Sequence, residues 1–356
     1  MLHTTTVKRY LRHALIRAGL EGVSLARAGR LWRGAGGRGI IFTLHHVRPT
    51  PARPFQPNAI LSITPAFLEQ AIKVSLEAGL VPLALEDLPE RLADPKDKRA
   101  YVCFTLDDGY RDNALFAAPV FRKYQVPYTI FATAGFVERT RSIWWETVEA
   151  LLARSRAVEF DFGQGTRRLG TETTGKKLIA YNRFAEYVET QDEDEAVASI
   201  DVLARDSGID PLALVDELTL DEAGLAEVAR DPLARIGAHS LTHVNLKRVP
   251  TPRLKQELEG SAAAVERYVG YRPGAFAYPY GYASAVGERE VQAARQAGYA
   301  VAVTTMPGLL KDGPFACPTG LNRVSLNGSY QRKRYVGALI SGIPFRLAQA
   351  RGLGLF

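Results

Sequence analysis

Cysteine is nearly absent: Cys103 and Cys317 are the only two in 356 residues. The chain therefore offers neither a disulfide framework nor a thiolate metal cluster. Long apolar runs are also missing, and no stretch approaches the roughly 18 consecutive apolar residues that span a bilayer. The opening segment lacks the apolar core of a secretory signal, which predicts a cytoplasmic protein. Beyond that segment there is no surplus charge of either sign. Residues 1–38 hold Lys8, Arg9, Arg12, Arg17, Arg27, Arg30, Arg33 and Arg38 against Glu21 alone, and this accounts for the whole net charge of +7. A balanced body argues against a nucleic-acid partner. Within the basic segment Val7, Leu11, Ala14, Leu15 and Ala18 share one helical face. Residues 1–36 thus read as a helix packed on the domain, or as a peripheral contact with an anionic membrane at its inner face.

What is present is an ordinary globular composition, 46% hydrophobic and 23% charged. The stretch Tyr101 to Asp112, YVCFTLDDGYRD, is the centre of the chain. Its apolar run reads as a central parallel strand, with Asp107 and Asp108 at the C-terminal end where α/β folds place their chemistry. Asp-Asp-Gly in isolation reads equally well as a turn or a helix cap. Ile40 to Leu44 makes an earlier strand ending in His45 and His46, and Tyr128 to Ala134, Gly274 to Tyr280 and Tyr299 to Thr304 make later ones. Helical patterns separate them: one opens at Thr64 with Pro65 at its first position, and others cover 114–124, 251–268 and 288–297. The alternation predicts a parallel sheet or barrel. Trp144, Trp145 and Glu146 open a charged, helical insertion of about 144–224, in which Gln191 to Glu195 reads as a solvated helix start. His239 and His243, four apart, would face the same way on a helical turn and have a usable metal-ligand spacing. Residues 328–356 read as a basic, helix-prone tail.

Three ordered motifs, FTLDDGY (104–110), HSLTH (239–243) and FAYPYG (276–281), resemble the polysaccharide deacetylases with a NodB homology domain, carbohydrate esterase family four. The likeness covers about 39–327. It implies a distorted (β/α) barrel of about seven strands. By matching position it implies that Asp107 is the catalytic base and that Asp108, His239 and His243 hold a divalent metal. Tyr280 falls where the family supplies a backbone amide to the oxyanion, and Trp145 joins it on the substrate side. The chemistry of the residues agrees. One carboxylate and two imidazoles leave positions open on an ion, and two adjacent carboxylates repel unless a cation separates their roles. Zinc suits this set, while nickel, cobalt and manganese remain alternatives.

Two departures accompany the likeness. Ala277 stands where the family's third motif has an arginine that orients the base. No histidine follows His243, where the family has a Leu-x-His that supplies the acid; this chain has Leu321-Asn322-Arg323. LHHV (44–47) resembles the early histidine element of the poly-N-acetylglucosamine deacetylase branch, which gives the acid's role to His45. Arg323, placed on the substrate or oxyanion side, is also the candidate for the missing orienting arginine. The expected activity is metal-dependent removal of N-acetyl groups from an N-acetylhexosamine glycan. O-acetyl ester hydrolysis, or deformylation of a lipid-linked sugar, is the alternative use of the site. A non-catalytic glycan-binding member of the fold is the other class.

Overall fold

Short, largely apolar runs become the strands of one parallel sheet, and the central ones, Gly39–Leu44, Tyr101–Leu106 and Tyr128–Ala132, are buried on both faces. The computed structural model describes residues 16–24, 37–49, 53–311 and 317–350. Its main sheet contains β1 (Gly39–Leu44), β2 (Val81–Pro82), β3 (Tyr101–Leu106), β4 (Tyr128–Ala132), β5 (Ala234–Ala238), β6 (Ala275–Ala277), β7 (Val301–Val303) and β8 (Val324–Ser325). The order is β7-β6-β5-β4-β3-β1-β8, with β2 beside the first residues of β3. Leu321 pairs with Val303 at one edge and Val324 pairs with Phe42 at the other, so residues 321–325 bridge the opening. The result is the expected distorted (β/α) barrel. Parallel register carries the C-terminal ends of β1, β3, β5 and β6 to one rim, and each sequence motif follows one of those ends.

Helices cover the outside, and their caps are local. Thr64 Oγ1 accepts the Phe67 N–H at 3.2 Å and opens the helix Pro65–Glu77, which presses Phe67, Leu68, Ala71 and Ile72 into the core.

One expectation changes, and others are refined. The insertion is not wholly helical, because Ala157–Asp161 and Thr166–Gly170 form an antiparallel hairpin. The second strand begins with three exposed residues, Thr166, Arg167 and Arg168, so no apolar alternation marks it. The insertion also carries its own apolar core, with Val148, Phe160, Phe184 and Ile200 buried together. The C-terminal residues are helical, as their composition suggested, and they also belong to the core. Helix Lys333–Ile340 lies against Pro65–Glu77 and buries Tyr335, Val336 and Leu339 in the main core. Residues 16–24 form a helix on the same seam, with Leu20 and Val23 buried and Glu21 accepting from Arg332, Arg334 and Tyr335. Of the apolar face expected there, Ala18 is exposed, and Val7, Leu11, Ala14 and Leu15 lie outside the described residues. Arg38 is withdrawn into the body, where its Nε donates to Arg99 O at 3.0 Å. Among the described residues no helix is long and apolar enough to cross a membrane.

Candidate active site

The eight residues expected at the site line one cavity of about 790 Å³ at the C-terminal rim of the barrel. Asp107 directly follows β3 and is 2% exposed. Arg323, arriving from the segment before β8, meets it fork to fork: Nη1 donates to Oδ1 at 2.6 Å and Nη2 to Oδ2 at 2.7 Å. The guanidinium is locked by further donations to Thr105 Oγ1 at 3.0 Å and to the Thr304 carbonyl at 2.9 Å. Burial alone would raise the Asp107 carboxyl, but the facing Arg323 holds it below its ordinary value. Arg323 is itself fully buried and committed to this pair. Of the two roles expected of it, the geometry shows the one that orients Asp107.

Asp108 is built differently. Its φ is 73°, a left-handed backbone that aspartate tolerates at some cost, and Gly109 continues the turn at φ 67°. Asp108 Oδ1 is buried with no hydrogen-bond partner, 3.5 Å from His239 Nε2 and 3.4 Å from His243 Nε2. Desolvation pushes this carboxyl up, and the two imidazoles beside it hold it well below its ordinary range. His239 Nδ1 lies 2.7 Å from the Ala277 carbonyl, which makes Nδ1 the donor and leaves Nε2 as a lone pair on the Asp108 side. One carboxylate oxygen and two imidazole nitrogens thus lie within 4.8 Å of one another. An unsatisfied buried oxygen facing two such nitrogens, an N₂O donor set, fits a divalent cation.

The histidines reach this position without the helical turn expected of them. β5 ends at Ala238, and 239–243 is a loop in which Ser240 (φ 63°) and His243 (φ 55°) are left-handed. Ser240 Oγ accepts the His243 N–H at 2.9 Å. The fully buried Glu257 accepts the Leu241 and Thr242 N–H groups through Oε2, at 2.7 and 3.0 Å. Asp108, Ser240, His243 and Tyr280 are four of the six non-glycine residues with positive φ among the described residues. Strain of this kind persists only where the surroundings enforce it, and here it collects around the site.

His45 follows β1 on the cavity wall, half-buried. Desolvation holds its imidazole below the ordinary value, against the pull of Asp108 and Asp107. His46 is part of the framework instead: it is fully buried, its Nδ1 lies 2.5 Å from Asp112 Oδ2, and it stacks on Tyr110 with ring centres 3.5 Å apart.

The insertion supplies the other wall. Trp145 donates from Nε1 to Tyr110 Oη at 3.1 Å, and its ring centre lies 4.9 Å from that of His243. Tyr280 (φ 62°) donates its hydroxyl to Glu193 Oε1 at 2.5 Å and accepts from Trp144 Nε1 at 3.1 Å. The Tyr280 N–H has no acceptor among the described residues. At the next residue a Cβ on Gly281 would stand 2.5 Å from Thr305 N, so only glycine follows Tyr280 here. Glu193 is 5% exposed and also accepts the Asn245 N–H at 2.8 Å. The helix expected from 191–195 does start here, but Glu193, its first residue, is buried rather than solvated. Glu193, Trp144 and Glu257 gave no signal of their own, since their partners lie 87, 136 and 16 residues away.

Residues 188–302, which include His239, His243 and Tyr280, match the family profile described as polysaccharide deacetylase. These residues, about a third of the chain, are similar to that family. No curated protein matches the chain. Among solved structures, the chain is similar in fold to the Streptococcus pyogenes deacetylase PplD in complex with acetate (16% identity, 81% of this chain and 92% of that chain, TM-score 0.53). It is likewise similar to a polysaccharide deacetylase from Bacillus cereus (15% identity, 85% and 68%, TM-score 0.52) and to IcaB from Ammonifex degensii (14% identity, 85% and 97%, TM-score 0.51). At these identities the likeness is one of fold. The protein thus shares the (β/α) barrel of these structures, with the Asp-His-His set at its rim.

Proposed function

We propose that this protein is a metal-dependent enzyme that releases acetate from an N-acetylhexosamine-containing glycan. One observation carries the reading: the unsatisfied buried oxygen of Asp108 faces two imidazole nitrogens, directly beside a carboxylate that a buried arginine keeps ionised. A divalent ion held by Asp108, His239 and His243 would supply Lewis acidity toward the amide carbonyl and lower the pKa of water there. Zinc suits the donor set, and nickel, cobalt or manganese share it.

The chain's own groups do the rest. Asp107, ionised and oriented by Arg323, accepts a proton from the attacking water. The Tyr280 N–H donates to the oxygen on which negative charge develops, and Glu193 with Trp144 fixes the phenol and thereby the backbone. Trp145 packs beside the acyl group. His45, kept neutral by burial, must take up a proton during turnover before it can pass one to the leaving amine.

The test is acetate release from chitooligosaccharides by the full chain, before chelation, after it, and after zinc is returned, with an O-acetylated glycan run in parallel. Loss on chelation and recovery with zinc, on the N-acetyl substrate, is the expected result. Undiminished activity of the metal-free protein, or release from the O-acetylated glycan alone, would reject the reading. His45→Ala is expected to lower kcat and leave metal content unchanged. We further propose that the protein works at the cytoplasmic face of a membrane, attracted by the basic residues within 1–36. Salt-sensitive sedimentation with anionic vesicles, lost on removal of 1–36, is the outcome that supports this location.

A further inference from the structure

The cavity that holds the site does not stop at the catalytic residues. Past Val324 and Leu326 it continues into the seam between residues 16–24, the helix Pro65–Glu77 and the C-terminal helices. Every charged side chain that lines it, Asp107, Asp108 and Arg323, belongs to the catalytic end. The far arm is walled by Leu20, Phe67, Val336, Leu339 and Phe345, all buried. Sugar hydroxyls placed against such walls would lose water without gaining partners, which is costly, whereas a hydrocarbon chain gains from the same transfer. Outside the seam the helix that carries Val336 and Leu339 begins beside the exposed Arg332, Lys333 and Arg334, which among the described residues form ion pairs with Glu21 and Glu77, the two arginines also lying over the Tyr335 ring. That outer face keeps a positive balance next to the arm, as an anionic carrier would require.

We propose that the apolar arm binds the hydrocarbon tail of a lipid-carried sugar, so that the substrate is an N-acetylated amino sugar on an anionic lipid rather than a free polysaccharide chain. The inference rests on the deacetylase reading and names the substrate class of that same site.

The test uses the full-length, zinc-loaded protein and N-acetylglucosaminides with methyl, butyl, hexyl and octyl aglycones, kept below micellar concentrations. KM should fall roughly threefold per added methylene until the arm is full, with kcat unchanged. The same series should displace a fluorescent alkyl probe from metal-free protein with the same chain-length dependence. Val336→Phe, which fills the arm without adding polarity, and Leu339→Gln should each flatten the dependence to under twofold across the series. Equal KM for all four glycosides, with the methyl compound turned over, would overturn the proposal and leave the deacetylase reading intact. Probe displacement with the expected dependence, but no hydrolysis of any glycoside, would keep the lipid arm and reject the deacetylase reading. A dimer that excludes the probe, seen by sedimentation, would assign the seam to a second copy and overturn the proposal.

Discussion

Asp107 and Asp108 are consecutive and equally buried, and the protein supplies a fixed counter-charge to only one of them. On the Asp107 side a guanidinium held by four hydrogen bonds makes a permanent ion pair. On the Asp108 side two imidazoles approach, and one carboxylate oxygen is left without a hydrogen bond. A buried carboxylate without a fixed counter-charge is costly, and the two imidazoles beside Asp108 leave that place to an exchangeable cation. The contrast separates a charge that must never move from a charge meant to be exchanged.

The largest expected effect comes from removing the permanent partner. Arg323→Met leaves Asp107 buried and unpaired, which should cost about 3–5 kcal/mol of stability, read from denaturant melts. The pH dependence sharpens this. A carboxyl with a depressed folded pKa stabilises the fold above its unfolded pKa, and that stability disappears as pH falls through the folded value. In Arg323→Met that contribution should vanish, and the acid limb of the rate profile should move to higher pH.

Asp107→Asn keeps the shape and removes the base. Hydrolysis should fall by roughly 10²–10⁴-fold while bound metal, measured by elemental analysis, stays unchanged. A variant that also lost the metal would erase the distinction between the two carboxylates.

On the exchangeable side, zinc at 100 times its Kd should stabilise the wild type by about 2.7 kcal/mol, and Asp108→Asn should abolish that gain in a thermal melt. The smallest effect belongs to the insertion. Burial, and then the neighbouring Glu146, raise Glu149 to about 7. The folded state therefore holds this proton more tightly than the unfolded chain does, and stability falls as pH rises from about 4.5 to 7. Glu149→Gln should remove that slope and add about 1 kcal/mol at pH 8, allowing for solvent screening of a half-buried group.

Which of these features could be read from the sequence depended on distance along the chain. The Asp-Asp pair, the two histidines and the strand runs that carry them are local patterns, so their order and their placement at strand ends were legible. The turn at 239–243 was not, because Ser240 and His243 take left-handed backbone under the hold of Glu257 rather than from their own preferences. The hairpin at 157–170 escaped notice because its second strand is polar and exposed. The C-terminal helix was missed as core because its apolar face is defined only by the helix Pro65–Glu77 that it meets. Arg323 was named as a candidate, but its commitment to Asp107 depends on a pairing across 216 residues.

That separation has a consequence for how the protein is made. Asp107 leaves the ribosome long before Arg323 does: at about 5–20 residues per second, 216 residues take roughly 10–45 s. Throughout that interval β3 can pair with β1 and β4, but the carboxylate at its end has no cation to accompany it into the interior. The rim of the barrel is therefore expected to stay open to water until the last strand is synthesised, and a nascent chain halted before residue 323 would hold every residue of the proposed metal set while the proposed base still lacked its counter-charge.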